Sequence, residues 1–323
     1  MAVACALTVV FALLVPLSGS RGDDGPGRGG QGVARGTQAK AGECTDPQDR
    51  SLSPDGGDGP TIDAIKARSG KDRRLVVGVD QNSFRWGYRD PNNTESGSDL
   101  EGFDIDLAHR IAEEVLGDPD AVQFRAIPTN QRIPAIQGGK VDMVVRTMTI
   151  TCDRLKDVAF SAPYFETGQQ VLAPKTSDIT GYDTSLEGRR ICTAAGSTAH
   201  DKLEADQKAG RLAASVDIST TVPNQLDCLV RLQLGEVDAV VTDGALAASQ
   251  AAQDPTVALK GKPFTTEYYG VAMKKGSDDL VRRVNKVLED YRKDGWQASY
   301  DKWLKPNLRS DSPSSEPPAA HYR

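Results

Sequence analysis

The feature that most constrains this chain is an internal echo. Gly139-Lys140-Val141-Asp142-Met143-Val144-Val145, then Thr147, recurs as Gly235-Glu236-Val237-Asp238-Ala239-Val240-Val241, then Thr242. Each copy follows a helical pattern that Gly stops, carries an acidic residue in a tight turn, and runs into an apolar strand ending in polar residues. Such a repeat points to two similar α/β lobes; one larger doubly wound domain is the alternative. Open α/β sheets bind ligands beyond the carboxyl ends of their strands, so Arg146 to Thr149 and Thr242-Asp243 should face a shared cleft.

Around the echo, short β-branched runs alternate with helical periodicity. Strands are expected at Leu75–Val79, Val122–Ile127 and Val141–Val145, and helices at Asp104–Leu116 and Arg132–Gln137. Asp104 and Asp106, at a helix start, read as residues that favour the positive end of the helix dipole.

The formal net charge of −6 argues against a nucleic-acid partner, which would call for a basic stripe, and leaves small solutes as the natural ligands. Residues 1–20 read as a signal peptide or N-terminal anchor. Ala2 to Leu17 is an apolar run too short to span a bilayer comfortably, and small residues follow it. A lipid anchor would need Cys where Ser20 stands. Residues 21–70 have a tether's composition and residues 306–323 that of a disordered tail. The expected location is the cell surface or extracytoplasmic space, with N-terminal tethering open.

Beyond the signal segment the four cysteines are Cys44, Cys152, Cys192 and Cys228, an even number in an exported chain. Of three connectivities, Cys192–Cys228 with Cys44–Cys152 is favoured; one reduced, buried pair is the alternative. None of the three histidines has metal-ligand spacing, and no cofactor motif occurs. Gly196-Ser197 lacks the second Gly of a nucleophile elbow, so the case for catalysis by this route is weak.

What remains suits a zwitterion. Thr147, Thr149 and Arg154 leave a strand and open a short helix, where amides, hydroxyls and a guanidinium can grip a carboxylate. Ala194-Ala195-Gly196-Ser197-Thr198 opens a helix in the second lobe, and its free amides also suit an anion. Asp243 supplies the complementary charge for an α-ammonium.

Five motifs, in this order, resemble the bacterial family 3 extracellular solute-binding proteins for polar amino acids, most nearly the actinobacterial glutamate- or glutamine-binding members. They are Glu101-Gly102-Phe103-Asp104-Ile105-Asp106-Leu107, Arg132-Ile133-Pro134-Ala135-Ile136, Thr149-Ile150-Thr151 with Arg154, Phe160-Ser161-Ala162-Pro163-Tyr164, and Tyr269-Gly270-Val271. The resemblance spans about residues 75 to 304. It implies an α/β type II periplasmic-binding-protein fold, two lobes joined by a two-strand hinge at Gln169–Ala173 and Tyr268–Met273. Lobe 1 would take 71–168 and 267–305, and lobe 2 would take 169–266.

In that fold Arg154 and the Thr198 amide would hold the α-carboxylate, helped by Thr149, and Asp243 would hold the α-ammonium. Asp80 and Trp86 would lie in the first-lobe loop, with Trp86 packing on the ligand or serving as a core aromatic. Ala194 stands where a glutamine-binding relative has Lys, while Arg85, Arg132 and Arg146 fall near the cleft. That balance favours glutamate or aspartate over glutamine. Closure around the amino acid would be read by an ABC permease or, alternatively, by a membrane sensor protein, with the binding protein itself a monomer. A cyclohexadienyl dehydratase-like enzyme is the remote alternative.

Overall fold

The computed structural model describes residues 44–90, 100–308 and 313–323. The signal segment read at 1–20 and tether residues 21–43 lie outside the described residues.

The first sheet begins with the parallel strands β1 (Leu75–Val79), β4 (Val122–Ala126) and β5 (Met143–Val144). A small hairpin, β2 (Asn82–Ser83) with β3 (Gly87–Tyr88), follows β1. Strands β6 (Val158–Phe160) and β14 (Ala272–Lys274) complete the order β4-β1-β5-β14-β6, and β14 runs antiparallel to β5. The second sheet has the order β10-β9-β11-β8-β12, built from β8 (Gln169–Pro174), β9 (Arg190–Ala194), β10 (Asp217–Val222), β11 (Ala239–Asp243) and β12 (Val257–Lys260). Both lobes therefore place the echoed strand centrally, parallel to one neighbour and antiparallel to the other.

Helices cover these sheets. In lobe 1 they are α1 (Pro60–Lys66), α2 (Phe103–Leu116), α3 (Arg132–Gln137), α4 (Arg154–Asp157), α8 (Asp278–Asp294) and α9 (Trp296–Trp303). In lobe 2 they are α5 (Thr198–Lys208), α6 (Gln225–Gln233) and α7 (Gly244–Gln253). Helix α2 follows the expected spacing: Leu107, Ile111 and Val115 lie on one buried face and pack with Val77, Val79 and Leu288 in the lobe 1 core.

The crossing between lobes is the antiparallel pair β7 (Phe165–Thr167) and β13 (Glu267–Tyr269). This shifts the expected hinge: Gln169–Pro174 already belongs to the second sheet, and of Tyr268–Met273 only Tyr268 and Tyr269 lie in the crossing, since Ala272–Lys274 belongs to the first. Gly168 marks the exit, where an added Cβ would lie 2.2 Å from the Thr265 carbonyl oxygen, so only Gly lets the two crossings touch.

Two further expectations are corrected. Residues 44–70 and 313–323, read from composition as tether and tail, contribute ordered structure. Cys44 is bonded to Cys152, Ile62 and Ile65 are buried in the lobe 1 core, Ser51 bridges Tyr322, and the Arg323 amide donates to the Ser51 carbonyl at 3.0 Å. The second disulfide joins Cys192 and Cys228 across the interior of lobe 2. In the chain-entropy picture its 36-residue separation stabilises the lobe by about 4 kcal/mol.

Candidate functional site

The site is built where the echoed strands end. After β5 the chain carries Arg146 and then Thr147, whose φ of 40° is a left-handed value that a β-branched residue seldom adopts. Asp104 holds this strained point, because its buried carboxylate accepts from the Thr147 amide at 3.1 Å and from the Tyr164 hydroxyl at 2.9 Å. Burial pushes Asp104 up to about 7, against the pull of those two donors. Both acids lie in the first turn of α2, as the helix dipole favours, but neither caps the helix, and Asp106 accepts from Ser299 and the Trp303 indole.

The peptide linking Arg146 and Thr147 is polarised from both ends. Its N–H meets Asp104, while its carbonyl accepts from Arg132 Nη1 at 3.3 Å. Arg132 also donates from Nε to the Thr129 carbonyl and from Nη2 to the Gly196 carbonyl, at 2.9 and 3.4 Å. Arg154 donates to the carbonyls of Thr149 at 2.7 Å and Gly196 at 3.1 Å. Both guanidiniums are buried, and their described hydrogen bonds go to backbone carbonyl oxygens. Burial, and then the neighbouring Arg154 and Arg146, hold Arg132 well below the usual arginine range. Arg154 is lowered less, by burial, because Asp201, Glu267 and Asp243 oppose the shift.

Arg146 is different. It pairs with Asp80 at 2.8 Å, donates to Thr129 Oγ1 at 2.9 Å, and reaches across to Asn224 Oδ1 of lobe 2 at 3.1 Å. Its charge is thus already matched inside lobe 1. Asp80 in turn accepts from the amides of Gln81 and Asn82 and from Ser83 Oγ.

Lobe 2 and the hinge supply the acidic half. Ser197 caps α5 by accepting from the His200 amide, and Thr198 is the first residue of the helix. Gly196, at φ 74°, lets the loop approach lobe 1 so closely that a Cβ would lie 3.0 Å from Asn130 Cα. Asp243, at the end of β11, accepts from the Tyr269 hydroxyl at 2.5 Å. Burial, and then the nearby Glu267, push Asp243 up to about 7. Glu267 accepts from Thr198 Oγ1 at 3.1 Å and from Thr265 Oγ1 at 2.9 Å.

Of the residues expected at the site, Arg132, Arg146, Arg154, Thr147, Thr149, Ser197, Thr198, Asp80 and Asp243 lie along the facing edges of the lobes and are held by the contacts above or, for Thr149, by a bridge to Tyr269. Arg85 does not fit its expected role, and Trp86 takes the second of its two. Arg85 turns away, over the Phe84 ring and toward the Trp303 carbonyl at 3.4 Å. Trp86 is fully buried, edge-on to Phe103, Phe165 and Tyr269, and so belongs to the core aromatic cluster. Glu267, Asn224 and Thr129 join the site from outside the expected set, and Tyr164 and Tyr269 enter it from two of the motifs. The alternation of Glu267 and Tyr269 on one strand was the available clue, since it puts both side chains on the same face.

Such geometry can seat an anion on paired guanidiniums and a cation on carboxylates a short distance away. The profile of the bacterial extracellular solute-binding proteins, family 3, matches residues 75–306, and the chain belongs to that family. It is therefore a solute-binding protein of the type II periplasmic class. The chain is 37% identical over 246 residues to the ABC transporter glutamine-binding protein GlnH of Bacillus subtilis (strain 168), covering 76% of this chain and 85% of that protein. The glutamate-binding protein GluB of Corynebacterium efficiens is 30% identical, covering 74% and 80%. Among solved structures, an ancestral arginine-binding protein bound to glutamine is 38% identical with a TM-score of 0.63, covering 72% of this chain and 97% of that one.

Proposed function

We propose that this protein captures a polar α-amino acid outside the cytoplasmic membrane, with glutamate or aspartate preferred over glutamine, and delivers it to an ABC permease. The carrying observation is the division of charge: buried Arg132 and Arg154 bond only to carbonyls among the described residues, opposite Asp243 and Glu267. A buried cation without a close anion is costly, by several kcal/mol, so a ligand carboxylate has much to gain there.

In this reading Arg154, with the amides of Thr149 and Thr198, holds the α-carboxylate, and Asp243 holds the α-ammonium. Three arginines first favoured an acidic side chain. Arg85 points elsewhere and Arg146 is matched by Asp80, so the preference now rests on Arg132. The names of the glutamate- and glutamine-binding relatives support the ligand class and leave that choice to the site.

Ligand contacts on both lobes would favour closure, with β7 and β13 as the flexing pair. Titration calorimetry of the purified protein against glutamate, aspartate, glutamine and asparagine tests the reading. The expected result is micromolar or tighter binding, at least about threefold stronger for an acidic ligand than for its amide. Silence toward all four overturns it.

A further inference from the structure

Glu267 is a buried carboxylate on the lobe-crossing strand, outside the set that the motifs point to. It sits two residues from Tyr269 on β13, so both side chains project from one face. Tyr269 donates to Asp243 at the end of β11, and Glu267 takes the Thr198 hydroxyl at the start of α5. The two carboxylates therefore converge from the hinge and from lobe 2. The charged or titratable groups facing them are Arg154 from α4, Arg132 from α3 and Tyr269 from β13.

We propose that Glu267 and Asp243 together form a paired-carboxylate socket for the ligand's α-ammonium, so that the site selects amino acids over dicarboxylates lacking the amine. This rests on the amino-acid reading above. Two carboxylates brought together out of water repel, and one of them holds a proton more tightly than a lone carboxylate would. An ammonium placed between them removes that penalty and drives the proton out. A glutarate, carrying the same two carboxylates without the amine, leaves the repulsion in place. Because Glu267 lies on the crossing strand and touches Thr198 of lobe 2, filling the socket also ties the hinge to the carboxylate-binding loop.

The test is Glu267→Gln, which keeps the side chain's size and can still bond to Thr198 and Thr265. Glutamate and glutarate are titrated calorimetrically into wild type and variant from about pH 6 to about pH 8. In parallel, the carboxyl carbon of Asp243 is followed by NMR against pH without ligand. In the variant, glutamate affinity should fall about 30-fold while glutarate holds or gains. The acid limb of the glutamate profile and the Asp243 titration should both move to lower pH, by about one unit, a change that simple loss of packing does not produce. Equal weakening of both ligands, unchanged glutamate affinity, or an unmoved Asp243 titration would each overturn the socket. If wild type binds no amino acid, the functional reading fails, and the Asp243 titration alone decides whether the two carboxylates are coupled.

Discussion

In lobe 1 the echoed strand stops at Val144, and Arg146 and Thr147 follow; in lobe 2 it continues through Thr242 to Asp243. Up to that point the copies agree closely. Gly139 and Gly235 adopt φ of 64° and 69°. The amides of Asp142 and Asp238 donate to the carbonyls of Val76 and Arg190, each at 2.8 Å. Their carboxylates accept from the amides of those same two residues, again at 2.8 Å each. Each acid thus pins its strand to the parallel neighbour. Beyond the strand the copies part, and lobe 1 offers buried guanidiniums where lobe 2 and the hinge offer carboxylates. The repeated turn sets the scaffold, and the few residues after it set the polarity. Together they suit a zwitterion bridging two lobes of like build whose facing strand ends carry opposite charges, Arg146 after one and Asp243 at the other.

The comparison breaks most readily at Arg154. Replacing it with Ala should weaken amino-acid binding by about 3 kcal/mol, more than a hundredfold, since it removes a desolvated charge facing the ligand carboxylate. Calorimetry showing near-normal affinity would deny lobe 1 its assigned half of the ligand.

A smaller effect sharpens the division within lobe 1. Arg132→Gln should cost glutamate about tenfold in affinity and change glutamine less than about threefold, if Arg132 serves the side chain and Arg154 the α-carboxylate. Equal losses for both ligands, measured in parallel titrations, would merge the two roles.

The smallest change tests the scaffold. An added Cβ meets nothing within 4 Å at Gly139 or at Gly235, so backbone strain is the only penalty there. Gly→Ala at either position should lower stability by about 1 kcal/mol, and by the same amount in both, on chemical denaturation. Unequal costs would mean that the two turns are alike in sequence but not in energy.

Much of the fold was legible because local rules and burial agreed. Leu75–Val79 and Arg132–Gln137 form as their patterns require, and both disulfides join the favoured partners. The ends of the chain were not legible. Composition marks 44–70 as unable to order itself, yet Ile62 and Ile65 find a core already made by α8 and β1, and Cys44 is bonded to Cys152. Arg85 was misplaced because neighbours in sequence diverge at the turn where it adopts φ 65°. Trp86 was ambiguous because a cleft aromatic and a core aromatic carry the same letter.

By itself the sequence determined two α/β lobes and their repeated turn, since these follow from periodicity and turn chemistry. Only the tertiary structure decided which charges are already matched. Arg146 meets Asp80 from a strand end more than sixty residues away in the chain, and Glu267 meets Thr198 from the crossing strand. Electrostatic partnership depends on distance through space and on exclusion of water, and neither is written in the order of residues along the chain.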